Sequence, residues 1–168
     1  MTAIDRPAAV PAGAARRHRP REASMDDDCL FCRIARGALP VHRVHEDEHI
    51  LAFLDLHPIR PGHCLIIPKQ HHPCFDDLPE DLATRITGCA QRLSRHMKAL
   101  YGVERVALFY TGIHVAHAHA HVVPMHHDHD VSSQAYLKDG VLDFSVPAPL
   151  PGDEGARIAG ALAPAFAT

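Results

Sequence analysis

Three histidines at alternating positions, in His117-Ala118-His119-Ala120-His121-Val122-Val123-Pro124, constrain this chain more than any other feature. Successive side chains of a β-strand point to opposite faces, so residues two apart share one. As a strand, the stretch puts His117, His119 and His121 in one row, with about 7 Å between neighbours. Ala116, Ala118, Ala120 and Val122 form the other row, small and apolar enough to lie under a helix. Three imidazoles make a poor core filling, because each buried ring nitrogen needs a partner. They suit work on an anion: one imidazole can attack, and others can hold a metal or hydrogen-bond phosphate oxygens near neutral pH. The plainer alternative is a solvated strand face in a chain with 16 histidines.

The rest of the composition narrows the field. The length of 168 residues fits one domain with a sizeable core. A net charge of −3 offers no basic field for nucleic acid. No apolar run approaches the ~20 residues that span a bilayer, so no membrane partner is expected. Five cysteines are an odd number, and Cys29-Leu30-Phe31-Cys32 pairs two of them closely. Without a secretory signal, this pattern favours metal binding or reduced thiols over disulfides, and a cytoplasmic location. Cys64, Cys74 and Cys89 lie in apolar stretches and read as packing residues.

Residues 1–24 are rich in Ala, Pro and Arg and read as a disordered tail. The folded domain is expected over 25–130, with 131–168 as a C-terminal extension packing on the domain or on a dimer partner. Asp28 is placed to cap a short helix over Cys29–Arg36, ended by Gly37 and Pro40. Val41–His45 and His49–Leu56 read as a hairpin, and His63–Ile67 as a third strand stopped by Pro68. Asp77-Leu78-Pro79-Glu80 opens a helix of about twenty residues. Its stripe is Leu82, Ile86, Cys89 or Ala90, Leu93, Met97 and Leu100. Val106–Tyr110 and Val115–Val123 complete the strands. Residues 125–130 look solvated, with metal binding as the alternative, and Asp153–Ala163 reads as a small-residue helix. The sum is an α+β class, a five-stranded antiparallel sheet with one long and one short helix.

The row His117-Ala-His119-Ala-His121-Val-Val resembles the signature of the histidine triad family, His-φ-His-φ-His-φ-φ with φ apolar. The likeness extends to Leu51-Ala-Phe53-Leu54-Asp55-Leu56, to Pro61-Gly62-His63 through Pro68-Lys69-Gln70-His71, and to Cys29-Leu30-Phe31-Cys32 followed by Gly37 and Pro40. It covers roughly residues 28–125. It implies a nucleotidyl hydrolase in which His119 attacks the α-phosphate and forms a nucleotidyl-imidazole intermediate. His121 would contact that phosphate, and His63 would be a fourth active-site histidine. Dinucleoside polyphosphates and nucleoside phosphoramidates are the implied substrates, with a purine base. A nucleotidyltransferase or phosphorylase of the same chemistry, or a weakly active nucleotide-binding regulatory protein, is the alternative.

The same likeness implies structural zinc on Cys29, Cys32, His71 and His117, with His72 the rival of His71. Leu30, Phe31, Ile34, Phe53 and Leu56 would sandwich the base, and Asp55 would hold the ribose hydroxyls. A homodimer is implied, its sheet continuing between subunits. One departure stands out. Family members often carry Gly-Gln before the triad, where this chain has Gly112-Ile113-His114. Thr111 or His114 is the candidate replacement for the glutamine.

Overall fold

The computed structural model describes residues 28–112, 114–131, 137–138, 141–142 and 147–167. The expected tail over 1–24 and the departure at Ile113 lie outside them. In chain order the elements are α1 (Leu30–Ala35), β1 (Arg43–Glu46), β2 (Ile50–Leu54), β3 (Cys64–Pro68), α2 (Glu80–Tyr101), β4 (Arg105–Phe109), β5 (Ala120–Met125), the two-residue strands β6 (Leu137–Lys138) and β7 (Val141–Leu142), and α3 (Gly152–Leu162). Short 3-10 turns stand at Phe75–Asp77 and Ala163–Phe166. The five main strands form one antiparallel sheet in the order β1-β2-β3-β5-β4.

Alternation sorts the sheet into two packed faces. Ile50, Ala52 and Leu54 of β2, Cys64 and Ile66 of β3, and Ala120 and Val122 of β5 meet the buried stripe of α2. That stripe is Leu82, Ile86, Cys89, Ala90, Leu93 and Met97, and each fully buried Leu or Ile contributes about 1.5–3 kcal/mol. On the opposite face Leu51, Phe53, Leu65 and Ile67 pack against Phe31 and Ile34 of α1. Both faces being covered, β2 and β3 are buried along their whole length.

The hairpin between β1 and β2 closes through Asp47, whose carboxylate accepts the N–H groups of His49 and Ile50 at 2.8 and 2.9 Å. The loop from β2 to β3 lies on the last turn of α2. Gly62 there has φ +92°, and a Cβ would come 2.6 Å from the Tyr101 hydroxyl, so both backbone and space require glycine. The C-terminal part folds back on the domain. Ile158, Ala159 and Leu162 of α3 join the α2 core, and the Phe166 ring stacks on His45 at 3.9 Å. His57 Nδ1 donates to the Pro147 carbonyl, and the Leu150 N–H to Leu56, each at 2.8 Å.

Four expectations need correction. The triad strand starts at Ala120, not Val115, so His117 and His119 precede it. The ladder from β3 reaches β5 only as far as Ile66 opposite Ala120, and Pro68, without an N–H, cannot extend it. Cys29 rather than Asp28 occupies the N-cap of α1. Pro79 rather than Asp77 precedes α2, because Asp77 closes the 3-10 turn and accepts the Cys74 N–H at 3.2 Å. Leu100 falls off the buried stripe and is exposed.

Candidate active site and metal centre

The face of the sheet under α1 carries both clusters of chemical groups. Cys29 and Cys32 sit at the start of α1, three residues apart, so one turn brings both thiols to the same side. His71 follows β3, and His117 ends the turn before β5. The four donor atoms lie within 4.8 Å of one another. Cys29 Sγ is 3.4 Å and Cys32 Sγ 3.6 Å from His117 Nδ1, and Cys32 Sγ is 3.3 Å from His71 Nδ1. A tetrahedral zinc with ordinary Zn–S and Zn–N bonds has N···S edges of about 3.5 Å, so the donor set fits that ion. His117 Nε2 faces the Pro68 carbonyl at 3.0 Å. A carbonyl only accepts, so the proton is on Nε2 and the Nδ1 lone pair faces the thiols, as metal-ligating imidazoles require. Burial pushes the His117 imidazolium down to about 4, favouring this neutral form. His72 is not in the cluster. Its carbonyl takes the Ala118 N–H at 2.6 Å, and its Nε2 is buried without a hydrogen bond.

The second cluster begins two residues on. His119 Nδ1 lies 2.6 Å from the carbonyl oxygen of His117 and must donate to it. The proton is therefore on Nδ1, and Nε2 carries the lone pair. No described residue hydrogen-bonds that nitrogen. The edge of the Phe31 ring packs on the imidazole, centroids 5.0 Å apart.

His121 and His63 form a pair, Nδ1 to Nε2 at 3.0 Å. The Ile59 N–H donates to His63 Nδ1 at 3.2 Å. His63 therefore donates through Nε2, His121 accepts through Nδ1, and the His121 proton sits on Nε2, 3.5 Å from the Thr111 hydroxyl. Burial lowers both rings to about 4, so each is neutral at pH 7. His119 and His121 are in edge contact, centroids 4.9 Å apart. The site thus presents, side by side, an imidazole lone pair and an imidazole N–H.

The other expected residues divide. Asp55 comes within 3.6 Å of His63 Nδ1, and its Oδ1 also takes the His57 N–H at 2.8 Å. Phe31, Ile34 and Phe53 are buried in the second core cluster, Phe31 edge-on to Phe53, and support the site from beneath. Leu30 and Leu56 are 44% and 62% exposed, unlike ordinary core leucines. Thr111 reaches His121, whereas His114 is exposed in the bend before His117 and makes no hydrogen bond among the described residues. Sequence reasoning missed Phe109, whose ring stacks parallel on His121 at 4.8 Å. The signal was available: Phe109 pairs with His121 across β4 and β5. It also missed Asp130, placed among solvated residues but only 5% exposed.

Residues 36–128 match the sequence profile of the HIT domain. The chain is 34% identical over 120 residues to an uncharacterized HIT-like protein of Methanocaldococcus jannaschii, covering 68% of this chain and 93% of that one. It is 35% identical over 103 residues to an adenosine 5'-monophosphoramidase of Saccharomyces cerevisiae, covering 61% and 65%. Its fold superposes, with a TM-score of 0.63 and 29% identity, on a zinc-bound histidine triad family protein from Mycobacterium smegmatis, covering 81% and 94%. With three histidines at alternating positions, the sheet that carries them and a profile match across more than half its length, this chain belongs to the histidine triad family.

Proposed function

We propose that the protein hydrolyses the bond between a nucleoside α-phosphate and its leaving group, through a nucleotide transiently bonded to His119. The observation that carries this reading is the 2.6 Å contact from His119 Nδ1 to the His117 carbonyl. It fixes the tautomer and aims the Nε2 lone pair, the requirement for an imidazole nucleophile. In the first step His119 Nε2 bonds to phosphorus as the bond from phosphorus to the leaving group breaks, the leaving group taking a proton from solvent that the attacking water returns in the second step. The Nδ1 proton stays on the ring, stabilised by the carbonyl behind it. The His121 Nε2–H stands beside the reacting centre as a donor to a phosphate oxygen. Water then displaces the imidazole and releases the nucleoside monophosphate.

Purine nucleoside phosphoramidates are the favoured substrates, a choice supported by the yeast phosphoramidase relative, with dinucleoside polyphosphates next. Leu30 and Leu56, exposed beside Phe31 and Asp55, are the proposed base wall, and Asp55 the ribose ligand, since a carboxylate can accept from both hydroxyls of a diol. Zinc on Cys29, Cys32, His71 and His117 is proposed as structural, because four protein donors leave no open position. Its bonds would hold α1 against the triad segment.

A homodimer is proposed through β4. The α3 helix and the C-terminal 3-10 turn pack against β1, so that among the described residues β4 is the open edge of the sheet; its own Leu108 and the nearby α2 residue Leu100 are exposed. Turnover of adenosine phosphoramidate by the full chain tests the activity. Release of AMP and ammonia supports it, and no release from phosphoramidate or dinucleoside substrates refutes it.

A further inference from the structure

The loop between β2 and β3 decides which nitrogen of His63 carries its proton. A neutral imidazole has one donor and one acceptor nitrogen, so the His63–His121 pair can be wired in two directions. In the first, Ile59 N–H donates to His63 Nδ1, His63 Nε2–H donates to His121, and His121 presents Nε2–H. In the second, His63 Nδ1–H turns to Asp55 Oδ2, His121 donates Nδ1–H to His63, and His121 presents a bare lone pair. Both wirings hold the same number of protons. Only the first puts a donor beside a phosphate oxygen. The geometry favours it: Ile59 N is 3.2 Å from His63 Nδ1, whereas Asp55 Oδ2 is 3.6 Å away.

What holds Ile59 in place comes from a distant part of the chain. The neighbouring Arg60 donates through Nη2 to Asp130 Oδ1 at 2.6 Å. Asp130 Oδ2 in turn accepts the N–H groups of His126 and His127 at 2.8 and 2.9 Å. The Asp130 side chain is 3% exposed and the Arg60 side chain 36%. Burial opposes the Asp130 charge, but Arg60 and the two backbone N–H groups hold its carboxyl down at about 2. The Arg60 carbonyl also accepts the His63 N–H at 2.9 Å. One residue therefore ties the loop to the turn after β5 with its side chain and to His63 with its backbone. Asp130 lies just beyond the stretch matched to the family.

We propose that the Arg60–Asp130 ion pair is a positioning element that, through Ile59 and His63, holds His121 as an Nε2–H donor toward the substrate phosphate. Arg60 and Asp130 are positioning residues and touch no reacting atom. The catalytic consequence rests on the proposed role of His121, but the proton placement does not.

The test is long-range proton–nitrogen NMR of 15N-histidine-labelled, zinc-loaded full-length protein at neutral pH, with His121 and His63 assigned by single His→Gln variants. Wild type is compared with Arg60→Met, which leaves the Asp130 backbone bonds intact, and with Arg60→Lys. The expected wild-type spectrum has a protonated Nε2 on both rings. Arg60→Met should move both toward the Nδ1–H form, and lower kcat on adenosine phosphoramidate by about 10- to 100-fold, with KM changed less than about threefold. Arg60→Lys should restore part of both effects. If Arg60→Met does not fold, Asp130→Asn, of the same size, takes its place. A wild-type His121 protonated on Nδ1, or unchanged proton positions in a folded clamp variant, overturns the proposal. A shifted tautomer in a protein with no nucleotidyl turnover overturns the functional reading and leaves the positioning role standing.

Discussion

The carbonyl oxygen of His117 takes the Nδ1 proton of His119 at 2.6 Å, while the His117 ring faces the thiols of Cys29 and Cys32. One residue thus joins the proposed zinc centre to the proposed nucleophile. The ring is held by a metal-type donor set and the Pro68 carbonyl, and the backbone of the same residue orients the proposed nucleophile.

Removing the proposed zinc should therefore disturb more than stability. Cys32→Ser should reduce bound zinc from about one per chain, measured by inductively coupled plasma mass spectrometry. It should also lower Tm in differential scanning calorimetry, because structural zinc contributes folding free energy outright. Activity should fall in the fraction that remains folded, because the carbonyl behind His119 loses its anchor.

Asp55→Asn should act mainly on binding. Its carboxylate is the proposed partner of the ribose hydroxyls, and a hydrogen bond to a charged group contributes about 1.5–3 kcal/mol. KM for adenosine phosphoramidate should rise about tenfold or more. A 2'-deoxy substrate should narrow the gap between wild type and variant in steady-state kinetics.

Acid should weaken the fold. Burial lowers the His63 and His121 rings from 6.5 to about 4 in the folded protein. Between those values the unfolded chain binds more protons than the folded one, so stability rises with pH across the window. It is fully present above about pH 6.5 and is lost progressively as pH falls toward 4. Urea unfolding at pH 7 and pH 5 should show a loss on the order of 4 kcal/mol, about 2 from each ring. A flat profile would show that these rings titrate alike in the folded and unfolded chain.

The open edge of β4 predicts the response to Leu108→Arg. The wild-type protein should elute at twice the chain mass in light scattering, and the variant at the chain mass, because a charge on an exposed edge blocks strand pairing. The wild-type Tm should rise with protein concentration, and the variant's Tm should be lower and independent of it, because dissociation removes the stabilisation that association gives by mass action.

Much of this architecture was legible in the sequence because it follows from periodicity. The α2 stripe and the alternation of β2 and β3 gave elements within a few residues of those observed, and Ala120 and Val122 do lie under a helix. The triad segment was misread as strand throughout because its backbone is pinned irregularly. The His117 N–H bonds the Val115 carbonyl at 2.8 Å and the Ala118 N–H bonds His72 at 2.6 Å, both outside any ladder. Pro68 was the sequence sign that the ladder would stop. His71 could not be separated from His72 by spacing, and only the direction of the two rings decides between them. Asp130 was hidden by its neighbours, since a run of His and Asp reads as solvated. Its burial depends on Arg60, seventy residues earlier.

The most direct test of the central claim is to mix the protein rapidly with adenosine phosphoramidate, quench, and map the covalent adduct by peptide mass spectrometry. The account predicts an adenylyl group on the peptide holding His119, absent in His119→Ala, whose kcat should fall at least about ten-thousandfold. An adenylyl group on His121 or another residue, or a His119→Ala protein that retains turnover, would contradict it.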